Sequence, residues 1–463
     1  MFLFIFFIAI IGVLYNKNNA LLFWMLSSLL IPSYVRILPV PLSFGLGLTF
    51  FLFVLSFLYP IDIPKSLKRG FRWTFIFSIH YILIRLLFSF LGTFFSWFDI
   101  LKKSYINCLF LAVIVFIVWK ISNKQSLNKA YKSICVVLFI VCLYGIFTYV
   151  IGNNPYMNFL SKYSEMKFDL SEVSSIYASE VRGGLKSRIS VLTYNPLQYA
   201  ILINAFIFVP IYLYLKERKI IYLGVIGIMF INLFLTGSRG PLISLIISCS
   251  LFYLMYQNIK GKIIFIVGVV FAVSLLFIIP GLDVYASYIK SILFIFSEKA
   301  SEAAEIKGSS ISGRMVQLEG VLSIVASSKS EWSTIMFGFG DGYTTYFLET
   351  YGTDYDGVGA FEGVLLSSLL NYGICGLLLV DMLPWLFVFY CIKSAKKAKY
   401  ISRRDSYLLY SMLLTQIIFS FLVGSVYYLI YYSILFSIMK NMMIEHFEKL
   451  KLKYVGLLLK KNK

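Results

Sequence analysis

Arginine is the residue type whose position in this chain most strongly indicates chemistry. Arg239 lies in the six-residue segment TGSRGP, 236–241, and apolar segments flank it at 220–235 and 242–256. Because both flanks are long and apolar, we expect Arg239 to lie near a membrane surface, where polar groups usually line a site or a pathway. Pro241 is favoured near the start of a helix. An anion beside Arg239 would therefore also meet the positive end of a helix dipole.

The same segment contains two hydroxyl side chains, Ser238 and Thr236, that could cap the following helix. Three more arginines lie in segments that we predict on the same side of the membrane as Arg239: Arg182, Arg188 and Arg314. Arginine stays charged and presents a planar fork of donors that matches phosphate oxygens in pairs. The alternatives without a function are an interfacial anchor for Arg239 and solvated surface for Arg182 and Arg188.

The composition restricts the fold class. Of the 463 residues, 59% are hydrophobic and 14% are charged, and the mean hydropathy is +0.83. These values predict an all-α, polytopic integral membrane bundle of about 12–13 spans, forming a single membrane domain over 1–463. The formal net charge is +20. Because the basic residues cluster in short loops between apolar segments, they favour membrane topology and anionic membrane lipid, and we expect no nucleic-acid partner.

Apolar segments alternate with basic loops along the chain. The predicted spans are 2–15, 20–38, 40–59, 72–95, 105–120, 132–151, 195–215, 220–236, 241–257, 262–280, 360–390, 406–423 and 425–440. If the loops rich in Lys and Arg face the cytoplasm, two long loops face outward, at 152–194 and 281–359. Apolar periodicity predicts a helix over 311–327 in the second loop, which we expect to form a partly helical cap.

Five segments follow one another in a recognisable order: TYNPLQYA (193–200), TGSRGP (236–241), SGRMVQLEGVL (312–322), FGFGDGY (337–343) and AFEGVLLSSLLNYGICGLLL (360–379). This order resembles the O-antigen ligase and O-antigen polymerase superfamily over about residues 190 to 385. The resemblance implies a GT-C type architecture. It also implies a multi-pass protein of the bacterial cytoplasmic (inner) membrane, with an active site that faces the periplasm or cell exterior.

One position departs from the family pattern. The family has a His-Asn pair at the start of the late span, followed by leucines and a G-x-x-G sequence. Here Gly373 and Gly376 supply the glycines, and the family spacing then places Glu362 and Gly363 at the pair. Glu362 would take the part of the catalytic base, since a carboxylate can accept a proton when burial raises its pKa. An ion pair between Glu362 and one of the arginines is the alternative.

The resemblance further implies polymerisation of polyprenyl-diphosphate-linked oligosaccharide repeat units into a surface polysaccharide, O-antigen or capsule. We expect direct displacement with inversion at the anomeric carbon, because no second carboxylate positioned as a nucleophile is evident in the sequence. Glu362, Arg239 and Arg314 are the expected catalytic residues. The expected contacts to the diphosphate or glycan are Arg188, Arg182, Ser238, Asn195 and Tyr194. Expected partners are the lipid-linked donor and acceptor, and a chain-length regulator protein. No cofactor and no metal are expected, since the D-x-D sequence at 354–356 lies in a loop where acidic residues form turns.

Three other functions remain open from the sequence. The acceptor could differ, as in O-antigen ligase-type transfer to lipid A-core, a protein or a wall polymer. A transporter or flippase for lipid-linked glycans would also need a cationic cavity, but it should show internal repeats and charges within spans of both halves. A receptor or assembly scaffold would have no evident use for a membrane-flush Arg239.

Overall fold

Peptide groups in hydrocarbon must find partners within the chain, so helices are the favoured structure for a sequence this apolar. The computed structural model describes residues 2–15, 20–31, 124–161, 187–193, 195–263, 311–326, 331–340, 343–351, 363–422 and 428–461, with isolated positions at 47–48, 51–52, 54–55, 72, 76 and 267. Regular structure throughout these residues is helical, and no strand occurs among them. The predicted all-α fold class is confirmed.

The helices of the described residues are numbered in chain order. The first group comprises α1 (Phe2–Tyr15), α2 (Ala20–Leu30), α3 (Lys124–Ile151), α4 (Pro155–Ser161), α5 (Pro196–Phe206), α6 (Phe208–Glu217), α7 (Ile221–Leu235) and α8 (Arg239–Tyr256). The second comprises α9 (Ile311–Ala326), α10 (Glu331–Phe337), α11 (Tyr343–Tyr351), α12 (Val364–Gly376), α13 (Leu383–Lys397), α14 (Arg403–Leu422) and α15 (Tyr428–Lys461). A π-helical segment, Leu377–Met382, joins α12 to α13.

Three helices among the described residues are long and apolar enough to cross a membrane: α3, the continuous pair α5 and α6, and α8. Shorter apolar helices lie at Ile5–Tyr15, Ile221–Leu235 and Val364–Gly376. The protein is thus a membrane protein with several candidate spans. The total of 12–13 stays a prediction, because the predicted spans at 40–59, 72–95, 105–120 and 262–280 lie largely or wholly outside the described residues.

Several predicted helices agree with the observed bounds to within a few residues, whereas α3 begins at Lys124, before its predicted start at 132, and α15 extends to Lys461, beyond the predicted end at 440. The predicted span 220–236 corresponds to α7, and the predicted helix 311–327 corresponds to α9. The span predicted at 195–215 contains a joint at Ile207, between α5 and α6. Pro210 explains this joint, because proline has no N–H to donate to the carbonyl of Phe206 four residues earlier.

Small polar residues bring α8 and α14 close together. The Ser411 hydroxyl donates to the carbonyl of Ser248 at 2.8 Å, and the Ser248 hydroxyl donates to the carbonyl of Ser244 at 2.7 Å. All three serines are buried. Small side chains allow two helix backbones to approach, and hydrogen bonds between them are a main source of helix association in lipid. α8 therefore packs closely against α14.

A buried asparagine joins α7 to α3. The Asn232 amide donates to the carbonyl of Cys142 at 3.0 Å, and its oxygen accepts from the Tyr199 hydroxyl at 3.1 Å. Gly145 leaves the room for this contact, since a Cβ there would lie 2.0 Å from the Asn232 oxygen. Three helices, α3, α5 and α7, thus meet around one fully buried polar side chain.

Ion pairs gather at one end of the bundle. Lys132 lies 2.9 Å from Glu217, Lys216 pairs with Glu445, and Lys124 pairs with Glu448. These pairs join the N-terminal part of α3, the C-terminal end of α6 and the middle of α15. The turn between α7 and α8 lies at the other end of α7 from these pairs, because Tyr222, near the start of α7, donates its hydroxyl to Glu217 at 3.0 Å. The orientation in the membrane stays a prediction.

The expected outer cap is helical where the structure describes it. α9, α10 and α11 pack on α12 around a small apolar cluster formed by Val321, Ile324, Phe347 and Leu370. α12 also contacts the main core, through Leu365. The cap is thus attached to the bundle through α12.

α12 is broken at Gly373, where φ is 65° and ψ is −167°. The span predicted as one helix over 360–390 is therefore interrupted. The break exposes helix carbonyls, and the chain after α10 pairs with them: Phe339 N donates to Leu370 O at 2.8 Å, and Gly340 N donates to Asn371 O at 3.1 Å. The glycine-rich sequence GFG thus completes the hydrogen bonding of the broken helix.

Two glycines make this crossing possible. A Cβ on Gly373 would lie 2.5 Å from Phe337 N, and a Cβ on Gly338 would lie 2.5 Å from Tyr372 N. Both glycines also have positive φ, +74° at Gly338 and +65° at Gly373, which other residues adopt only with strain. The two backbones touch with no side chain between them.

We therefore expect Gly338→Ala and Gly373→Ala each to destabilise the protein by roughly 1–3 kcal/mol, since each combines backbone strain with a clash against backbone. Apparent melting temperature in detergent measures the effect. Gly224→Ala and Gly227→Ala are the matched controls, because a Cβ at either position meets nothing within 4 Å. Equal melting of all four variants would contradict the crossing.

Candidate functional site

α7 and α8 are joined by a three-residue turn, 236–238. Gly237 has φ +63°, a left-handed conformation that suits glycine. The Thr236 hydroxyl donates to Leu233 O at 2.7 Å and accepts from Ser238 N at 3.2 Å. All three residues of the turn are buried. The turn is therefore a packed element of the structure, not a solvated loop.

Arg239 is the first residue of α8, which begins two residues earlier than predicted. Its side chain is half-buried. Ser238 occupies the N-cap position with an extended backbone, but its hydroxyl makes no capping bond. The prediction that a hydroxyl of Ser238 or Thr236 caps this helix is wrong. The Thr236 hydroxyl is bonded within the turn, and the Ser238 hydroxyl lies beside Arg188. The positive end of the α8 dipole lies beside Arg239.

Arg188 lies across this turn. Its Nε donates to Thr236 O at 2.8 Å, and its Nη2 lies 3.4 Å from the Ser238 hydroxyl. The side chain is only 7% exposed. The interpretation of Arg188 as solvated surface is wrong, because the guanidinium fills the space over Gly237 and bonds the end of α7. The structure thus brings Arg188, Ser238 and Arg239 together.

The segment that carries Arg188, 187–193, is held on two sides. Ile189 N donates to Leu235 O at 3.2 Å. On the other side, the Asn154 amide donates to Val191 O at 2.9 Å. Asn154 in turn accepts at 3.0 Å from the hydroxyl of Tyr144, a residue of α3. Every residue of the segment is buried. The end of the predicted outward loop 152–194 is therefore anchored between α3 and α7.

Asn195 connects this segment to α5. Its side-chain oxygen accepts from Leu197 N at 2.7 Å, so Asn195 caps the N-terminus of α5, and Pro196 begins the helix. The Thr193 hydroxyl lies 2.8 Å from Asn195 O. The sequence TYNPLQYA therefore supplies a helix start. Its remaining candidate, Tyr194, lies outside the described residues.

Sequence reasoning missed a buried asparagine on the opposite side of the turn. Asn204 in α5 is 2% exposed, and its amide lies 3.2 Å from Pro241 O and 3.0 Å from the Ser244 hydroxyl. Asn204 thus holds the first turn of α8. The available signal was an asparagine inside an apolar span, where a polar group is expensive unless it has a partner. The same signal marks Asn232 in α7.

Three predicted site residues fall elsewhere. Arg182 and Glu362 lie outside the described residues. Arg314 falls in the first turn of α9, and its side chain is not among those described. Gly363, which follows Glu362, is buried with φ +119° and precedes α12 directly. Glu362 therefore adjoins the start of the helix that carries the Gly373 break.

The described residues contain no group of three or more His, Cys, Asp or Glu that could hold a metal ion. The described cysteines are free thiols, of which three are buried: Cys135, Cys142 and Cys391, with Cys249 and Cys375 partly exposed.

Taken together, the described structure is that of an all-helical membrane protein, in which a buried arginine braces a turn and a second arginine opens the next apolar helix. Residues 224–380, about a third of the chain, match the family model described as O-antigen ligase (Wzy_C), so the chain contains a domain of that family. The resemblance predicted from the order of sequence segments is confirmed over this region. Among curated proteins, no relative matches the sequence.

The limits of the matched region determine which candidate site residues belong to the family domain. It begins within α7 and contains the turn, α8, the described cap helices and α12, and so includes Arg239, Arg314 and Glu362. Arg188 and Asn195 precede it. Proteins of this family are membrane enzymes that transfer glycans, of ligase or polymerase type. The matched domain therefore indicates a membrane protein of the glycan-transfer type, in the biosynthesis of lipopolysaccharide or a related polysaccharide.

We expect Asn154→Ala to loosen segment 187–193, because the substitution leaves Val191 O without its described donor and the Tyr144 hydroxyl without its described acceptor. Loss of such a buried hydrogen-bonding group costs roughly 1–3 kcal/mol, which increases local opening by about fivefold to a hundredfold. Limited proteolysis in detergent should show faster cleavage within 187–195. Asn153→Ala, at an exposed neighbouring position, is the control and should cleave at the wild-type rate.

Proposed function

We propose that this protein polymerises glycan repeat units carried on polyprenyl diphosphate, moving the growing glycan from one carrier to a hydroxyl of the next repeat unit. One observation carries the proposal: Arg239 is the first residue of an apolar helix long enough to cross a membrane, within the O-antigen ligase family domain. A lipid diphosphate lies at the membrane surface and carries the charge that such a position attracts.

The donor side of the reaction needs charge stabilisation. As the bond between the anomeric carbon and the phosphate oxygen breaks, negative charge develops on the departing diphosphate. Arg239 and the dipole of α8 are held in place by Arg188 and Asn204 before substrate arrives, and fixed dipoles of this kind stabilise developing charge efficiently. Arg314, in the same family domain, is the proposed second cation.

The acceptor side needs a base. The attacking hydroxyl forms a bond to the anomeric carbon and loses its proton, for which Glu362 is the proposed acceptor. The base becomes a neutral carboxylic acid, and the lipid diphosphate leaves as an anion. Direct displacement of this kind inverts the anomeric centre. Support for Glu362 comes from its position one residue before Gly363, at the start of α12.

Ligase-type transfer is the second candidate, because the matched family is described as O-antigen ligase. The donor chemistry is then the same, and the acceptor is lipid A-core or another envelope polymer. The departure from the family's histidine at Glu362 favours the polymerase. The two activities separate in one assay, since a polymerase extends the donor itself and a ligase transfers only to added acceptor.

The test uses full-length protein purified into nanodiscs, with synthetic polyprenyl-diphosphate repeat units and no added metal. A ladder of products spaced by one repeat unit supports polymerisation. A single product, formed only when lipid A-core is added, supports ligation instead. Movement of intact donor across the bilayer of sealed proteoliposomes, without any glycan transfer, would contradict both.

In this assay we expect Arg239→Ala to lower turnover by about a hundredfold or more, since one lost charge-stabilising group in a preorganised site has an effect of that size. Arg218→Ala is the matched control, because Arg218 is exposed at the opposite end of the bundle, beside the ion-paired helix ends. Equal activity of the two variants would remove Arg239 from the mechanism.

We expect Glu362→Gln to lower turnover sharply while leaving donor binding intact, because the amide keeps the shape of the side chain and cannot accept the proton. A general base contributes about a hundredfold to ten-thousandfold in rate. Initial rates with saturating donor measure the effect. If the Gln variant keeps full activity, Glu362 has a structural part and another group accepts the proton.

A further inference from the structure

We infer that Arg188 is a positioning residue, which fixes turn 236–238 and through it Arg239, and that it does not itself contact the diphosphate. This role deepens the proposed function, on which its kinetic consequence rests. It also changes the assignment expected from sequence, where Arg188 was a direct ligand of the substrate.

The first support is the way Arg188 fits the turn. A Cβ added at Gly237 would lie 3.1 Å from Arg188 Nε, 3.4 Å from its Cγ and 3.5 Å from its Cδ. The side chain therefore lies along Gly237, and the glycine is needed both for its φ of +63° and for this close approach. The Arg188 side chain and the turn at Gly237 are therefore complementary in shape.

The second support is electrostatic. The last carbonyls of a helix have no partner within the helix, and a cation close to them is stabilising. Arg188 Nε bonds Thr236 O, which directly follows the end of α7, and the guanidinium also reaches the Ser238 hydroxyl. Arginine can make both contacts because its donors form a rigid fork. A lysine ammonium would carry the charge without that geometry.

The third support is the anchoring of the Arg188 backbone. Ile189 N is bonded to Leu235 O, and Val191 O is bonded to Asn154, so the chain on the C-terminal side of Arg188 is attached to α7 and, through Asn154, to α3. A buried guanidinium on such a backbone cannot follow a substrate that enters and leaves. It can hold its neighbour still, and a displacement of about 1 Å at a catalytic group costs up to about a hundredfold in rate.

The test compares Arg188→Gln and Gly237→Ala, with Arg218→Gln as the matched control at the opposite end. Hydrogen exchange of residues 235–240 in nanodiscs, without substrate, reports on the turn. Both test variants should exchange faster there than the wild type and the control. Gly237→Ala distinguishes a positioning role of Arg188 from direct contact with the substrate, because this substitution disturbs the turn and neither adds nor removes charge.

Kinetics supply the second readout. Both test variants should lower kcat by about tenfold to a hundredfold. KM for the donor should stay within about twofold, since no contact to the bound substrate is lost. Arg188→Lys should resemble Arg188→Gln, because retained charge without the fork does not rebuild the turn.

The opposite pattern overturns the role. If Arg188→Gln raises KM, Arg188→Lys restores it, and exchange over 235–240 is unchanged, Arg188 contacts the diphosphate directly. Failure of the proposed function is a separate result: a wild-type protein that transfers no glycan refutes that function, while exchange at the turn still decides whether Arg188 and Gly237 hold it.

Discussion

Hydrogen bonding inside the membrane is the constraint on which this structure depends. A polar group in hydrocarbon has no water with which to form a hydrogen bond, so its hydrogen-bond partner must be a group of the protein. In the described bundle, polar side chains on one helix bond the backbone of another, as Asn232 does with Cys142 O and Ser411 with Ser248 O. These bonds fix the distances between α3, α7, α8 and α14, and therefore where the helix ends lie.

The same constraint shapes the candidate site. A chain that reverses direction at the membrane surface leaves carbonyls at the end of one helix and N–H groups at the start of the next. Arg188 pairs with the first set, and Asn204 bonds Pro241 O within the following turn. Arg239 then begins α8, with its side chain half-buried beside the positive end of the helix dipole. In the proposed function, rigidity and chemistry are divided between two arginines about fifty positions apart in the sequence.

Much of the fold was predictable because apolar segments and their basic borders determine where helices lie. α7, α8 and α9 fall within a few residues of prediction, and Arg239 begins an apolar helix beside the turn that its flanking segments predicted. The contacts of Arg188 were not predictable, because its described partners, Thr236 O and the Ser238 hydroxyl, lie 48 and 50 residues away in sequence. The break in α12 was equally hidden. A glycine inside an apolar segment is common in membrane helices, and only the crossing chain shows why Gly373 is not helical.

That crossing limits how such a cap can diverge. When two side chains clash, a smaller residue at one position can relieve the clash, so the residue types at the two positions can change together in evolution. At Gly338 and Gly373 each added methyl group would contact backbone atoms, and no substitution elsewhere can remove a backbone atom. Neither glycine can therefore compensate for change at the other. A chimaera that exchanges the outer segments of two relatives must keep both, or transplant the whole crossing as one piece.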